Sequence, residues 1–196
     1  MIAVIDYKAG NLYNVGNALR RLGADFVFTR DPAAVGQASG VILPGVGSAQ
    51  PAMSSLAELG LVPVLKGLRT PFLGICLGLQ LLFESSEEEQ TPCLGLLPGT
   101  VRRFDSRKLK TPQIGWNQVD CDMPSLFKGV KTGASFYFVH SYYAPIQPEI
   151  TRGTTEYGVQ FSSVVAKGNF WGVQFHPERS GESGLRVLGN FLEATC

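Results

Sequence analysis

The sequence predicts an α/β protein built on a largely parallel sheet with helices on both faces. Three observations carry that prediction. Short, wholly apolar runs recur along the first 83 positions, helical periodicity fills stretches between them, and Gly or Pro punctuates the changes. Strands that read as continuous apolar runs, rather than alternating ones, are those covered on both faces, as βαβ crossovers require.

The elements follow in order. A first strand covers 1–5 and ends at Asp6. Asn11 is placed to cap a helix with Leu12, Val15, Ala18, Leu19 and Leu22 on one face, and Gly23 closes it. Strands at 26–28 and 41–43 follow, with a helix between them that starts at Asp31-Pro32, a cap with proline in the first turn. A fourth strand, 72–75, runs directly into a helix at 77–83. The acidic stretch SSEEEQTP, 85–92, reads as a solvated loop without a functional role. From Thr100 onward, β-branched and aromatic segments at 101–105, 115–120, 134–143 and 155–176 predict mostly antiparallel strands, with a turn at Lys167-Gly168-Asn169. A final helix over 183–194 carries Leu185, Leu188, Phe191 and Leu192. With no repeat and no linker, residues 1–196 read as one domain.

Composition narrows the function. Lys+Arg 17 against Asp+Glu 16 gives a net charge of +1, which offers no field for nucleic acid or an anionic membrane. A hydrophobic fraction of 44% excludes a disordered chain. The N-terminus has no basic start and meets Asp6 early, unlike a signal peptide. The most apolar stretch, 61–83, holds Lys66, Arg69, Pro63 and Pro71, and its uncharged part, 70–83, is shorter than the roughly 20 residues of a membrane span. Cys76, Cys93, Cys121 and Cys196 form neither a C-x-x-C pair nor a Cys/His cluster, so no metal and no disulfide framework are expected. A cytoplasmic setting and a catalytic thiol both fit. The twenty-three glycines need a reason.

Gly74-Ile75-Cys76-Leu77-Gly78 supplies part of it. A nucleophile between two glycines at a strand-to-helix junction is the nucleophile-elbow pattern, here with cysteine. Side chains at Gly74 and Gly78 would meet backbone in so tight a turn. The N–H groups opening the helix favour a thiolate and bind a developing oxyanion. The competing reading is a buried, inert cysteine. A thiolate needs a base, and only two histidines exist. His176, in Gln174-Phe175-His176-Pro177-Glu178, is held extended by Pro177, so Glu178 falls on the same side to orient its Nδ1–H. His140 has no acid nearby and is assigned to structure or substrate-loop support. The backbone N–H of Leu77 is one oxyanion donor. Leu43-Pro44-Gly45-Val46-Gly47-Ser48, which follows a strand at the same sheet edge, offers the second through Val46 or Gly47. No G-K-[ST] or G-x-x-G follows it, which argues against a phosphate loop.

Together P-G-V-G (44–47), G-I-C-L-G-L-Q (74–80) and F-H-P-E (175–178) resemble the class I, triad-type glutamine amidotransferases. Further segments sharpen the likeness: Asp6-Tyr7 with Gly10-Asn11-Leu12, 112–117, 138–143, 153–158 and 176–181 are similar to the glutaminase subunits of imidazole glycerol phosphate synthases. The resemblance implies a flavodoxin-like fold, with a mixed, largely parallel sheet flanked by helices and an antiparallel β region in the C-terminal half. It implies glutamine hydrolysis through Cys76, His176 and Glu178, with Gly45, Gln80, Ser141 and Tyr142 binding substrate and no cofactor. It further implies a heterodimer with the synthase's cyclase subunit, a (β/α)8 barrel that receives the ammonia in histidine biosynthesis. Asn11, Trp116, Asn117, Tyr137 and Arg179 are candidate docking residues, although Trp116 also reads as a core aromatic. The competing functions are the glutaminase of a pyridoxal 5′-phosphate synthase, a hydrolase of esters or peptides using the same elbow, and a non-catalytic scaffold.

Overall fold

The apolar runs of the N-terminal half form the centre of the molecule. The computed structural model describes residues 1–7 and 12–196. Strands β1 (Ile2–Ile5), β2 (Phe26–Thr29), β3 (Gly40–Leu43) and β4 (Phe72–Ile75) lie parallel in the spatial order β2-β1-β3-β4. Every residue of β1, β3 and β4 is buried, and alternate residues feed two separate cores. Ala3, Ile5, Val41, Leu43 and Phe72 face one; Ile2, Val4, Ile42, Leu73 and Ile75 face the other. Their connections are α1 (Leu12–Arg21), α2 (Pro32–Gln37), α3 (Ala49–Glu58) and α4 (Leu61–Gly67). Asp31 caps α2 as expected, its Oδ1 accepting from Ala33 N at 3.0 Å. Asn11 lies outside the described residues. The expectations omitted α3, whose buried face is only Ala49, Ala52 and Leu56, too thin for a periodicity signal.

The later elements are α5 (Leu77–Gln80), β5 (Ser85–Ser86), β6 (Thr91–Pro92), β7 (Thr100–Arg103), β8 (Gln113–Gln118), β9 (Asp120–Cys121), α6 (Pro124–Phe127), β10 (Ser135–His140), β11 (Tyr142–Tyr143), β12 (Thr151–Glu156), β13 (Gln160–Lys167), β14 (Phe170–Val173) and α7 (Gly181–Glu193). The antiparallel half is not a separate layer. The main sheet continues β4-β14-β13-β12-β9, with β14 parallel to β4 and the last three strands antiparallel. The chain thus returns late to the middle of the sheet. β10 pairs with β8, and β11-β7-β5-β6 form a small sheet beside them.

Two expectations are corrected. The helix at 77–83 stops at Gln80, because Leu82 N and Phe83 N bond three residues back, to Leu79 and Gln80. The carbonyls of Leu81, Leu82 and Phe83 are then taken by N–H groups of 94–97. The acidic stretch is no solvated loop either. Two of its carboxylates accept from backbone, Glu87 from Arg103 N at 2.9 Å and Glu88 from Ala49 N at 2.7 Å, as does the preceding Glu84 from Gly99 N at 2.8 Å. Ser86 and Thr91 of the same stretch are buried.

Gly74 and Gly78 close the β4–α5 junction. A Cβ on Gly74 would lie 2.5 Å from the Gly78 carbonyl oxygen, and one on Gly78 would overlap the Leu43 carbonyl. Backbone cannot yield there as a side chain could. Gly78→Ala should therefore lower unfolding free energy by about 1–3 kcal/mol. Gly67→Ala, in open space at the end of α4, should be neutral or stabilise by up to about 1 kcal/mol. Urea denaturation midpoints of the two variants check the contrast.

Candidate active site

The parallel strands end at one edge of the sheet, where crevices of α/β proteins form. β1 leads to Tyr7, β3 to the 44–48 loop, β4 to Cys76 and β14 to Gln174 and His176. Cys76 has φ 54° and ψ −107°, a conformation a side chain adopts only under constraint. The constraint is steric. Gly45 sits against the elbow, its missing Cβ leaving room for Leu77 Cβ, Gly78 N and the Tyr7 hydroxyl, all within 2.6–2.9 Å of that position. Cys76 N donates to Val173 O at 2.8 Å, which fixes the nucleophile turn to β14. The sulfur lies 3.7 Å from the Val139 carbonyl and accepts from Gln174 Nε2 at 3.6 Å.

His176 Nδ1–H donates to Glu178 Oε1 at 2.8 Å, with the two side chains 4% and 1% exposed. The route differs from the extended chain expected. His176 itself is extended, but Pro177–Arg179 turn as a 3-10 segment, and that turn swings Glu178 back. Ser180 holds the turn: its Oγ donates to His176 O at 2.7 Å and accepts from Tyr137 N at 2.9 Å. Burial alone would disfavour the His176 imidazolium. The nearby Cys76 sulfur, together with the charge and hydrogen bond of Glu178, outweighs it and pushes the pKa up. Nε2 is buried and has no hydrogen-bond partner among the described residues.

His140 behaves oppositely. It is buried, with Nδ1–H donating to Tyr142 O at 2.8 Å and Nε2 3.0 Å from the Gln113 side-chain amide. Burial is the largest cause in pushing its pKa down to about 4, so it stays neutral at pH 7.

Cys76 opens into a cavity of about 290 Å³ lined in part by Val46, Gly47, Leu77, Gln80, Ser141 and Tyr142. That is the small end of the roughly 300–1,000 Å³ of small-molecule sites. The structure thus brings together the expected triad, oxyanion and substrate residues, with Gly45 one step behind the wall. Glu88 also lines the cavity. Sequence reasoning missed it because a carboxylate in an acidic run reads as solvated. Gln174 and Ser180 were missed as well; their proximity to the Cys and His motifs was the available signal. Among the docking candidates, Trp116 is 59% exposed and edge-on to Tyr137, whose ring carries the Arg179 guanidinium at 4.6 Å. Asn117 instead spends its side chain internally, Nδ2 donating to Glu156 O at 2.8 Å. Among the described residues no His/Cys/Asp/Glu group is arranged to hold a metal, and no helix is long and apolar enough to cross a membrane.

Residues 3–194 match the family model "Glutamine amidotransferase class-I". The "Imidazole glycerol phosphate synthase subunit HisH" of Herpetosiphon aurantiacus is 51% identical over 198 residues, spanning 98% of this chain and 94% of that one. The protein of the same name from Moorella thermoacetica has the same identity and coverage. A glutamine amidotransferase crystal structure superposes with a TM-score of 0.75 at 20% identity, covering 99% of this chain and 98% of the other. At that identity the likeness concerns the fold.

The buried neutral His140 sets an acid limit on stability. Its folded pKa, about 4, lies below the unfolded 6.5, so its contribution is complete above 6.5 and is lost as pH falls toward 4. The raised pKa of His176 acts only above 6.5. Unfolding free energy should therefore drop by up to about 1.4 kcal/mol per pH unit through this window. Urea titrations at several pH values should show His140→Asn with a shallower slope.

Proposed function

This chain belongs to the class I glutamine amidotransferases, and from that premise we propose how its residues release ammonia from glutamine for an imidazole glycerol phosphate synthase. The chain is the glutaminase subunit of that enzyme in histidine biosynthesis, a reading supported by relatives of about half-identical sequence that are named as subunits of imidazole glycerol phosphate synthase. The observation that supports the assignment of roles is the His176–Glu178 pair beside Cys76 at the mouth of one small cavity.

The Cys76 thiol passes its proton to His176 Nε2, and the thiolate attacks the side-chain carbonyl carbon of glutamine. The carbonyl oxygen becomes an oxyanion held by Leu77 N–H and an N–H from Val46 or Gly47. His176 returns the proton to the amide nitrogen, the C–N bond breaks, and ammonia leaves a glutamyl thioester. Water then gives a proton to His176 and attacks the thioester; the C–S bond breaks and glutamate departs. Glu178 keeps His176 in the tautomer that presents Nε2 and stabilises its cation. The amino-acid head of glutamine lies against Gln80, Ser141 and Tyr142, beside Gly45, with Glu88 pairing with its α-ammonium.

Ammonia released to water at neutral pH is mostly protonated and no longer nucleophilic. We propose that it passes instead to the (β/α)8-barrel cyclase subunit in a heterodimer docked over Trp116, Tyr137 and Arg179. Residues 1–196 serve as one domain for this half-reaction. The free thiols suit a reducing cytoplasm.

Two outcomes are expected. In the complex with cyclase, Cys76→Ala should abolish glutamate release, and Glu178→Gln should lower kcat by at least about 10²-fold by losing the tautomer control; residual turnover by Cys76→Ala would refute the thioester route. Trp116→Ala should weaken cyclase binding about tenfold or more, as a buried aromatic anchor does, while glutamine-analogue labelling of Cys76 in the free subunit persists. Calorimetric titration of the two subunits measures the first effect.

A further inference from the structure

The chain Tyr142–Gln80–Gln174–Cys76 is a run of hydrogen bonds whose direction is fixed from one end. Tyr142 O can only accept, so the Gln80 atom 2.9 Å away is its Nε2. The other hydrogen of that nitrogen meets Gln174 at 3.1 Å, so the Gln174 atom there is Oε1. The remaining amide atom of Gln174 is then Nε2, and it faces the Cys76 sulfur at 3.6 Å. Neither amide can flip without placing two acceptors or two donors face to face.

We propose that Gln174 is the donor that holds and aims the Cys76 thiolate, its amide locked in place by Gln80 and Tyr142. The proposal rests on the glutaminase reading and adds a second donor to the sulfur beside His176. Gln174 is fully buried directly after β14, with its N–H on Ser163 O at 2.9 Å. The short segment that follows β14 carries both Gln174 and His176, with Gln174 Nε2 on the Cys76 sulfur. The need is electrostatic. The Val139 carbonyl at 3.7 Å suits an S–H group but repels the sulfur once its proton has moved to His176. Tyr7 beyond β1, His140 and Tyr142 at the β10–β11 turn, and Glu88 across the cavity are the other titratable groups around it. Tyr7 is a buried phenol pushed upward and His140 is neutral, so neither offsets that repulsion. With both Gln80 N–H groups spent, only its Oε1 is left for a ligand. Gln80 therefore couples the substrate wall to the nucleophile.

The test measures Cys76 alkylation by iodoacetamide against pH, resolved by peptide, in the unsubstituted chain, Gln174→Met and Gln174→Glu, with steady-state glutamate release in the cyclase complex alongside. Losing a donor to a charged group should raise the alkylation midpoint by about one pH unit. It should also lower kcat about tenfold with KM for glutamine within about twofold. Gln174→Glu, which keeps the shape and presents an acceptor, should shift the midpoint further. It decides the matter if methionine opens the core, which faster alkylation of half-buried Cys93 and Cys121 would report. An unshifted midpoint in the folded variants, or a loss carried by KM alone, overturns the role of Gln174. Failure of a glutamine-analogue electrophile to label Cys76 in the unsubstituted chain would instead overturn the glutaminase reading.

Discussion

The backward bend of the chain at Cys76 is the constraint on which the rest of the site depends. A side chain at φ 54° and ψ −107° is costly, and the surroundings hold it there by leaving no alternative. Gly45, Gly74 and Gly78 bring three backbone segments closer than any Cβ allows. The β3 loop, the β4 end and the first turn of α5 thus form one packed unit. The same crowding sets the sulfur of Cys76 beside the β3 loop at the sheet edge.

The central sheet and the Cys76, His176 and Glu178 motifs were legible in the sequence because each rests on local chemistry. Wholly apolar runs mean strands covered on both faces, and β1, β3 and β4 are such strands. G-x-C-x-G and H-P-E carry their geometry within a few residues, although the Pro177–Arg179 turn, rather than an extended chain, brings Glu178 to His176. What stayed hidden depends on distant partners. The glutamates of 84–88 look solvated until Gly99, Arg103 and Ala49 are seen to donate to them. The helix after Cys76 ends early because the 94–97 segment claims its carbonyls, a competitor no local pattern announces.

The two histidines show how one site favours the charged form of one ring and the neutral form of another. Both are buried. His176 lies between a thiol and a carboxylate, so its cation has partners; His140 lies between a carbonyl and a neutral amide, so its cation would have none. Two rings of the same chemistry are thereby separated into one that favours a proton and one that serves as a structural bracket. The bracket shapes the Ser141–Tyr142 wall that glutamine would touch, and through Tyr142 O it reaches Gln80.

The place of β14 beside β4 has a consequence for how the protein is made. Cys76 is laid down well before β14 and the histidine that follows it, His176. A nascent chain emerging in order holds Cys76 with no histidine facing it until β14 docks. On the proposed mechanism, pairing of the thiol with its histidine is thus tied to completion of the sheet rather than to the elbow alone.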